Sequence, residues 1–237
     1  MNTHRSPHPR LHITTRRAAL STLSLALSPL VGCASSTPKR GLSSLPAKAI
    51  ALLEPRCDST LKLKVTDWAR PISATNLRGE ELAINSLMGL SSSGITGRFS
   101  EALAGELREN GFDVDQVVQN YAATTPGNAK HAASIRSFLT AGFVYKTFTS
   151  ATYAPFVQVV LEANLSDGRA IYHQLYSATD RSLNLFITNF PASTHYVFAE
   201  IEALQSQRDQ ALEALSTLAA QLGKVFASEL TASRHDA

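Results

Sequence analysis

From residue 157 to residue 177 the chain alternates apolar and polar positions on either side of a turn signal, and this pattern limits the fold more than any other stretch. Val157, Val159, Leu161, Ala163 and Leu165 alternate with Gln158, Val160, Glu162 and Asn164, the two-residue period of a strand with one buried face. Asp167-Gly168 follows, a pair suited to the positive φ angles of a two-residue type I′ turn. Counting outward from that turn puts Ser166 opposite Arg169, Glu162 opposite His173 and Ala163 opposite Tyr172. Tyr172, Gln174 and Tyr176 then face the core with Val157, Val159 and Leu161, while Glu162, His173, Asn164 and Gln158 take the wetter side.

An element to cover such a sheet lies near the C-terminus. Ile201, Leu204, Ala211, Leu215, Leu218, Leu222 and Val225 follow three-and-four spacing, which predicts a long amphipathic helix over 196–230 with Arg208 as its polar intruder. Packing on a sheet face suits this stripe, and a coiled coil is the alternative. A second helix is expected where Ile95, Phe99, Leu103 and Leu107 recur every four residues. Ser93 or Thr96 would cap it and Asn110-Gly111 would end it. Strands are expected at 49–53, 61–66, 112–118 and 143–148, a turn at 124–128, and a helix at 129–139 stopped by Gly142. The stretch 68–94 has little periodicity and is expected as a loop or short turn, with Trp68 as a core plug. The expected fold class is α+β: one mixed, largely antiparallel sheet with two or three helices packed on it, including the long C-terminal helix.

Composition narrows the function. Of 237 residues, 17% are charged, below the roughly 25% of typical soluble domains, and no apolar run reaches the ~20 residues of a spanning helix. The net charge of +3 is misleading, because residues 1–32 hold four of the 22 basic residues and none of the 19 acidic ones. Without them, 18 basic residues face 19 acidic ones. No basic field then remains for nucleic acid, and no nucleic-acid partner is expected.

Those first residues form a targeting segment. A basic region ending in Arg16-Arg17 precedes a mostly apolar stretch over 18–31, short for a permanent anchor but suited to export. It closes on Leu30-Val31-Gly32-Cys33, which resembles the lipobox of bacterial lipoproteins. The resemblance implies cleavage after Gly32 and a diacylglyceryl group on the Cys33 sulfur. Two or three acyl chains, at ~0.8 kcal/mol per buried CH₂, hold a domain stably where one would not. Thr15-Arg16-Arg17-Ala18-Ala19-Leu20 also resembles a twin-arginine export signal. Ala34, Ser35 and Ser36 follow Cys33 with no Asp beside it, which by resemblance to Gram-negative lipoproteins implies the outer membrane, facing the periplasm. The periplasmic face of the inner membrane is the alternative. The expected organisation is a removed signal peptide at 1–32, a lipidated tether at 33–46, a single domain at 47–230 and a frayed tail at 231–237.

The residues that could carry chemistry are dispersed. Once Cys33 is acylated, Cys57 has no disulfide partner in the chain, and it is expected as a small buried residue with no lowered pKa. Glu162 opposite His173 could form an acid–base pair but is expected as an exposed charge pair. Gly89-Leu90-Ser91-Ser92-Ser93-Gly94 lacks nucleophile-elbow spacing and is expected as a plain loop, or as one that cradles an anion at a helix start. His131, His173, His195 and His235 show no metal-ligand spacing. No catalytic residue, metal or cofactor is expected.

The order of elements over residues 47–230, with phrases such as Arg98-Phe99-Ser100-Glu101-Ala102-Leu103 leading to Asn110-Gly111-Phe112, resembles small α+β periplasmic lipoproteins. These include the auxiliary lipoproteins of ABC-type transport systems, the lipopolysaccharide-assembly lipoprotein and the curli-secretion group. The resemblance implies a non-catalytic accessory or assembly component of an envelope transport or secretion complex, with the membrane as partner through Cys33. The alternatives are a module binding a lipid or small ligand between sheet and helix, and a hydrolase in which Ser91, Ser92 or Ser93 meets a histidine.

Overall fold

In the computed structural model, residues 41–42, 45, 47–65, 74–86, 92–117, 130–146, 152–179, 188–191 and 196–232 are described. Cys33, Ser91, Trp68, His195, His235 and the expected turn at 124–128 lie outside them.

Strand β1 (Ala49–Leu53) is buried at four of its five positions, as its unbroken apolar run requires of a central strand. It is followed by two short strands, β2 (Arg56–Cys57) and β3 (Lys62–Val65). Helices α1 (Ala74–Asn85) and α2 (Ser92–Glu109) lead to β4 (Asp113–Val117), and Gly111, at φ 81°, makes the turn between α2 and β4. Then come β5 (Ala133–Lys146), β6 (Thr152–Leu165), β7 (Ala170–Thr179) and β8 (Thr188–Pro191), followed by α3 (Ile201–Ser206) and α4 (Arg208–Thr231). The sheet order is β4-β1-β5-β6-β7-β8. The class is α+β, with a mixed sheet and a long C-terminal helix. Its longest ladders are the antiparallel ones joining β5, β6 and β7; β4, β1, β2, β3 and β8 are added in parallel.

β1, β2 and β3 run one after another along β5, broken by extra residues. From Leu52 to Arg56 the chain advances four positions while β5 advances three, from Ile135 to Phe138. From Cys57 to Lys62 it gains two more against Leu139 to Gly142. Pro55, which has no N–H for the ladder, sits in the first interruption. These interruptions leave the chain beside Glu54 and Cys57 outside the regular ladder.

The hairpin keeps its expected pairing through a different turn. Gly168, at φ 85°, is the left-handed residue, and Asp167 is not. Gly168 N–H donates to the Leu165 carbonyl (2.9 Å) and Leu165 N–H to the Arg169 carbonyl (2.8 Å). This is a type I turn closed by a left-handed glycine, not the type I′ turn. A one-residue register shift at Ala163/Asn164 then restores Glu162 opposite His173 and Ala163 opposite Tyr172.

α2 and α4 pack on each other, and α4 also crosses β6 and β7. Phe226 of α4 is the hub, with its ring centroid 4.8 Å from Tyr176, 6.2 Å from Phe99 and 6.3 Å from Tyr172, all edge-on. Side chains of this size contribute roughly 1.5–3 kcal/mol each when buried. Glu229, one turn further on, accepts hydrogen bonds from the Tyr172 (2.9 Å) and Tyr176 hydroxyls, fastening the end of α4 to β7.

Besides the turn, four further expectations change. Residues 129–139 were expected as a helix, but 133–146 form β5. The Ile135 and Leu139 spacing is also every second residue once Ser137 and Ala141 are counted, and fourteen paired positions on β6 decide for the strand. Within 68–94, expected as loop or short turn, residues 74–85 form α1, whose Ile84 is fully buried while Leu82 is 67% exposed. The single helix expected over 196–230 starts only at Ile201 and is interrupted at Gln207, whose φ of −107° and ψ of 36° separate α3 from α4 just before Arg208. Finally, Leu42, inside the stretch expected as tether, is fully buried and Leu45 packs beside it. The core therefore begins before residue 47.

Candidate functional site

At Val117, the last described residue of β4, the carbonyl accepts from the Glu54 N–H at 3.1 Å. β2 and β3 continue beside β5 past this point, so among the described residues the sheet edge steps back. The N-terminal half of α2 lies beside this step, and between them is a cleft of about 490 Å³. Leu52, Pro55 and Val117 give it apolar walls, with Cys57 on the β2 side. Ser93, Thr96, Gly97, Ser100 and Glu101 line it from successive turns of α2, and Gln116 and Glu54 from the sheet. Gln116 Nε2 donates to Ser100 Oγ at 3.4 Å, joining the two sides.

Cys57 is a half-buried free thiol, as expected. Burial first, then the neighbouring Asp58 carboxylate, pushes its pKa up to about 11. At pH 8 only about one thiol in a thousand is then ionised, and the thiolate is the nucleophile. In Cys33→Ala, where Cys57 is the remaining cysteine, iodoacetamide labelling of the folded chain is expected to run about 100-fold slower than for an unfolded control. Equal rates in the two states would disprove this.

Ser93 is exposed at the start of α2, and no histidine is among the described residues lining the cleft. The two described histidines are engaged elsewhere. His173 Nδ1 lies 3.2 Å from Glu162 Oε1, with both side chains around half exposed (57% and 44%). This is the expected surface pair, worth a few tenths of a kcal/mol. His131 Nε2 lies 2.8 Å from Asp115 Oδ2, which also accepts from Lys130 Nζ at 2.8 Å. Ser92, Ser93 and Gly94, expected in a loop, form the first turn of α2.

The Asp115 cluster predicts acid sensitivity. Hydrogen bonds from Lys130 and His131, with the Lys130 charge, hold the Asp115 carboxyl down to about 2. A carboxylate lowered in the folded state adds stability above its unfolded pKa near 4, and that stability is lost as pH falls from about 4 through 2. Asp115→Asn is expected to flatten the fall in melting temperature over that window and to leave the rest of the profile parallel. An unchanged slope would count against the cluster.

No family model and no curated protein matches this sequence. Solved structures give distant likenesses. Lipoprotein GNA1162 of Neisseria meningitidis is similar at 14% identity, covering 59% of this chain and 86% of its own, with a TM-score of 0.35. A Xanthomonas campestris protein of the DUF330 family is similar at 9% identity over 81% of this chain and 87% of that one, TM-score 0.37. A neuraminyllactose-binding hemagglutinin homologue of Helicobacter pylori is similar at 12% over 79% and 87%, TM-score 0.37. At these distances the site has to be understood from this chain's own residues.

The cleft residues do not stand out as a site in the sequence, because Glu54 (between β1 and β2), Glu101 (α2) and Gln116 (β4) share no spacing. One signal was present: Gly94 and Gly97 in the first turns of a helix, where glycine is a poor helix former.

Proposed function

We propose that the chain is a non-catalytic lipoprotein of the bacterial cell envelope, an accessory or assembly component of a transport or secretion system. In this reading acyl chains on Cys33 hold it to the outer membrane, facing the periplasm. The observation that carries the reading is Leu30-Val31-Gly32-Cys33 placed directly after a basic and then an apolar segment. Among the described residues no helix is long and apolar enough to cross a membrane, and the reading gives attachment to the lipid alone. Affinity capture of the acylated chain from detergent-solubilised envelope, combined with deletion of its gene, tests the accessory role. Co-isolation of a transport or secretion component whose activity falls in the deletion supports it. A deletion that leaves every co-isolated system fully active overturns it.

A second reading, a ligand-binding module, is supported by the cleft beside α2. The interior between sheet and helices, where a lipid was envisaged, is occupied by fully buried Phe99, Leu103, Leu218, Leu222 and Phe226.

A further inference from the structure

The cleft at the end of β4 has the size and position of a ligand site. Its volume of about 490 Å³ lies within the roughly 300–1,000 Å³ of small-molecule sites. It opens at the carboxyl ends of the parallel strands β1 and β4.

Gly97 leaves one position on the α2 side of the cleft without a side chain. It lines the cleft from the second turn of α2, and a Cβ built there would meet no atom within 4 Å. Its φ is not left-handed. Neither packing nor backbone conformation calls for glycine at this position, although glycine weakens a helix. The same holds for the helical glycines Gly79, Gly94 and Gly105; at Gly97 the open space lies within the cleft, where a ligand can approach the helix closely.

The charge sets the class of ligand. Glu54 and Glu101 are the charged side chains among the lining residues, and neither is ion-paired among the described residues. The positive field of a helix start falls off within the first turn, and Gly97, Ser100 and Glu101 lie beyond it. The two carboxylates therefore dominate, with Pro55 and Val117 offering an apolar wall. We propose that this cleft binds an ammonium or guanidinium group carried on a short apolar stem, with Glu54 and Glu101 as its acceptors and Gly97 as the space it fills. The group could belong to a free amine or to a Lys or Arg side chain of a partner polypeptide; the chemistry is shared. The inference does not depend on acylation at Cys33.

Calorimetry on the full chain in detergent tests it, with butylamine, agmatine, butyrate and a terminally blocked Gly-Lys-Gly peptide as probes. The cationic probes are expected to saturate below about 10 mM and butyrate not to bind. Glu54→Gln combined with Glu101→Gln should weaken binding at least tenfold. Gly97→Leu should abolish it. Gly97→Ala should fold with an equilibrium constant raised about two- to fivefold, and separates loss of space from loss of fold should the leucine variant be unstable. A peptide at least tenfold tighter than butylamine identifies a partner chain as the source, and the reverse order a free amine. Absence of saturation by every cationic probe, equal binding of butyrate, or undiminished affinity in the double glutamine variant overturns the proposal.

Discussion

Gly142→Val is expected to leave the chain unable to reach its native fold, and Gly142→Ala to cost at least about 3 kcal/mol. Gly142 sits in the middle of β5 opposite Lys62 of β3. A Cβ built on it would lie 1.9 Å from the Lys62 carbonyl oxygen and 2.7 Å from its nitrogen. Those are backbone atoms of a paired strand, so no side chain can rotate to relieve the clash. Relief requires β3 to leave β5, which would expose Leu63 and Phe143, both buried in the core. A total stability of 5–15 kcal/mol leaves little margin for such a loss. Circular dichroism with urea unfolding checks this. An unfolding free energy within about 0.5 kcal/mol of the parent for Gly142→Ala would show that the strands do not approach so closely.

Cys33→Ala is expected to produce the largest change in where the protein is found and none in how it folds. With two or three acyl chains, each buried CH₂ worth ~0.8 kcal/mol, the parent should sediment wholly with membranes after an alkaline wash. The variant has no sulfur to acylate and should appear in the soluble fraction once its leader is removed, or as a heavier precursor if removal depends on acylation. Intact mass distinguishes these forms, and an unchanged melting temperature shows that the domain is undisturbed. If the parent's mass equals that of the bare polypeptide from residue 33, or residues 1–32 are still attached, the anchoring proposal fails.

The local elements visible in the sequence were those whose signal is local. Alternation from Val157 to Ala163 gave β6, the apolar run at Ala49–Leu53 gave β1, and Ile95, Phe99, Leu103 and Leu107 gave α2, all four buried completely. The Glu162–His173 register came out correctly although the turn was wrong, because the bulge at Ala163/Asn164 absorbs the residue by which the two turn types differ. Errors fell where a pattern fits two periods. Ile135 and Leu139 are four apart and satisfy a helix and a strand equally, so only the partner strand decides. The candidate cleft was hidden for a related reason. Its lining residues come from β1, β2, α2 and β4, elements far apart in the chain.

The sequence alone pointed to the hairpin pairing, to α2 and α4, to a segment proposed for export and to the sulfur proposed to carry lipid, since each depends on neighbours a few positions away. Tertiary structure alone decided that β1, β4 and β8 join in parallel, that 133–146 extends, that Gln207 breaks the last helix, and that a cleft stands open beside Gly97. Those outcomes depend on which distant surfaces exclude water together and which backbones must come close, and both are fixed only when the whole chain is packed.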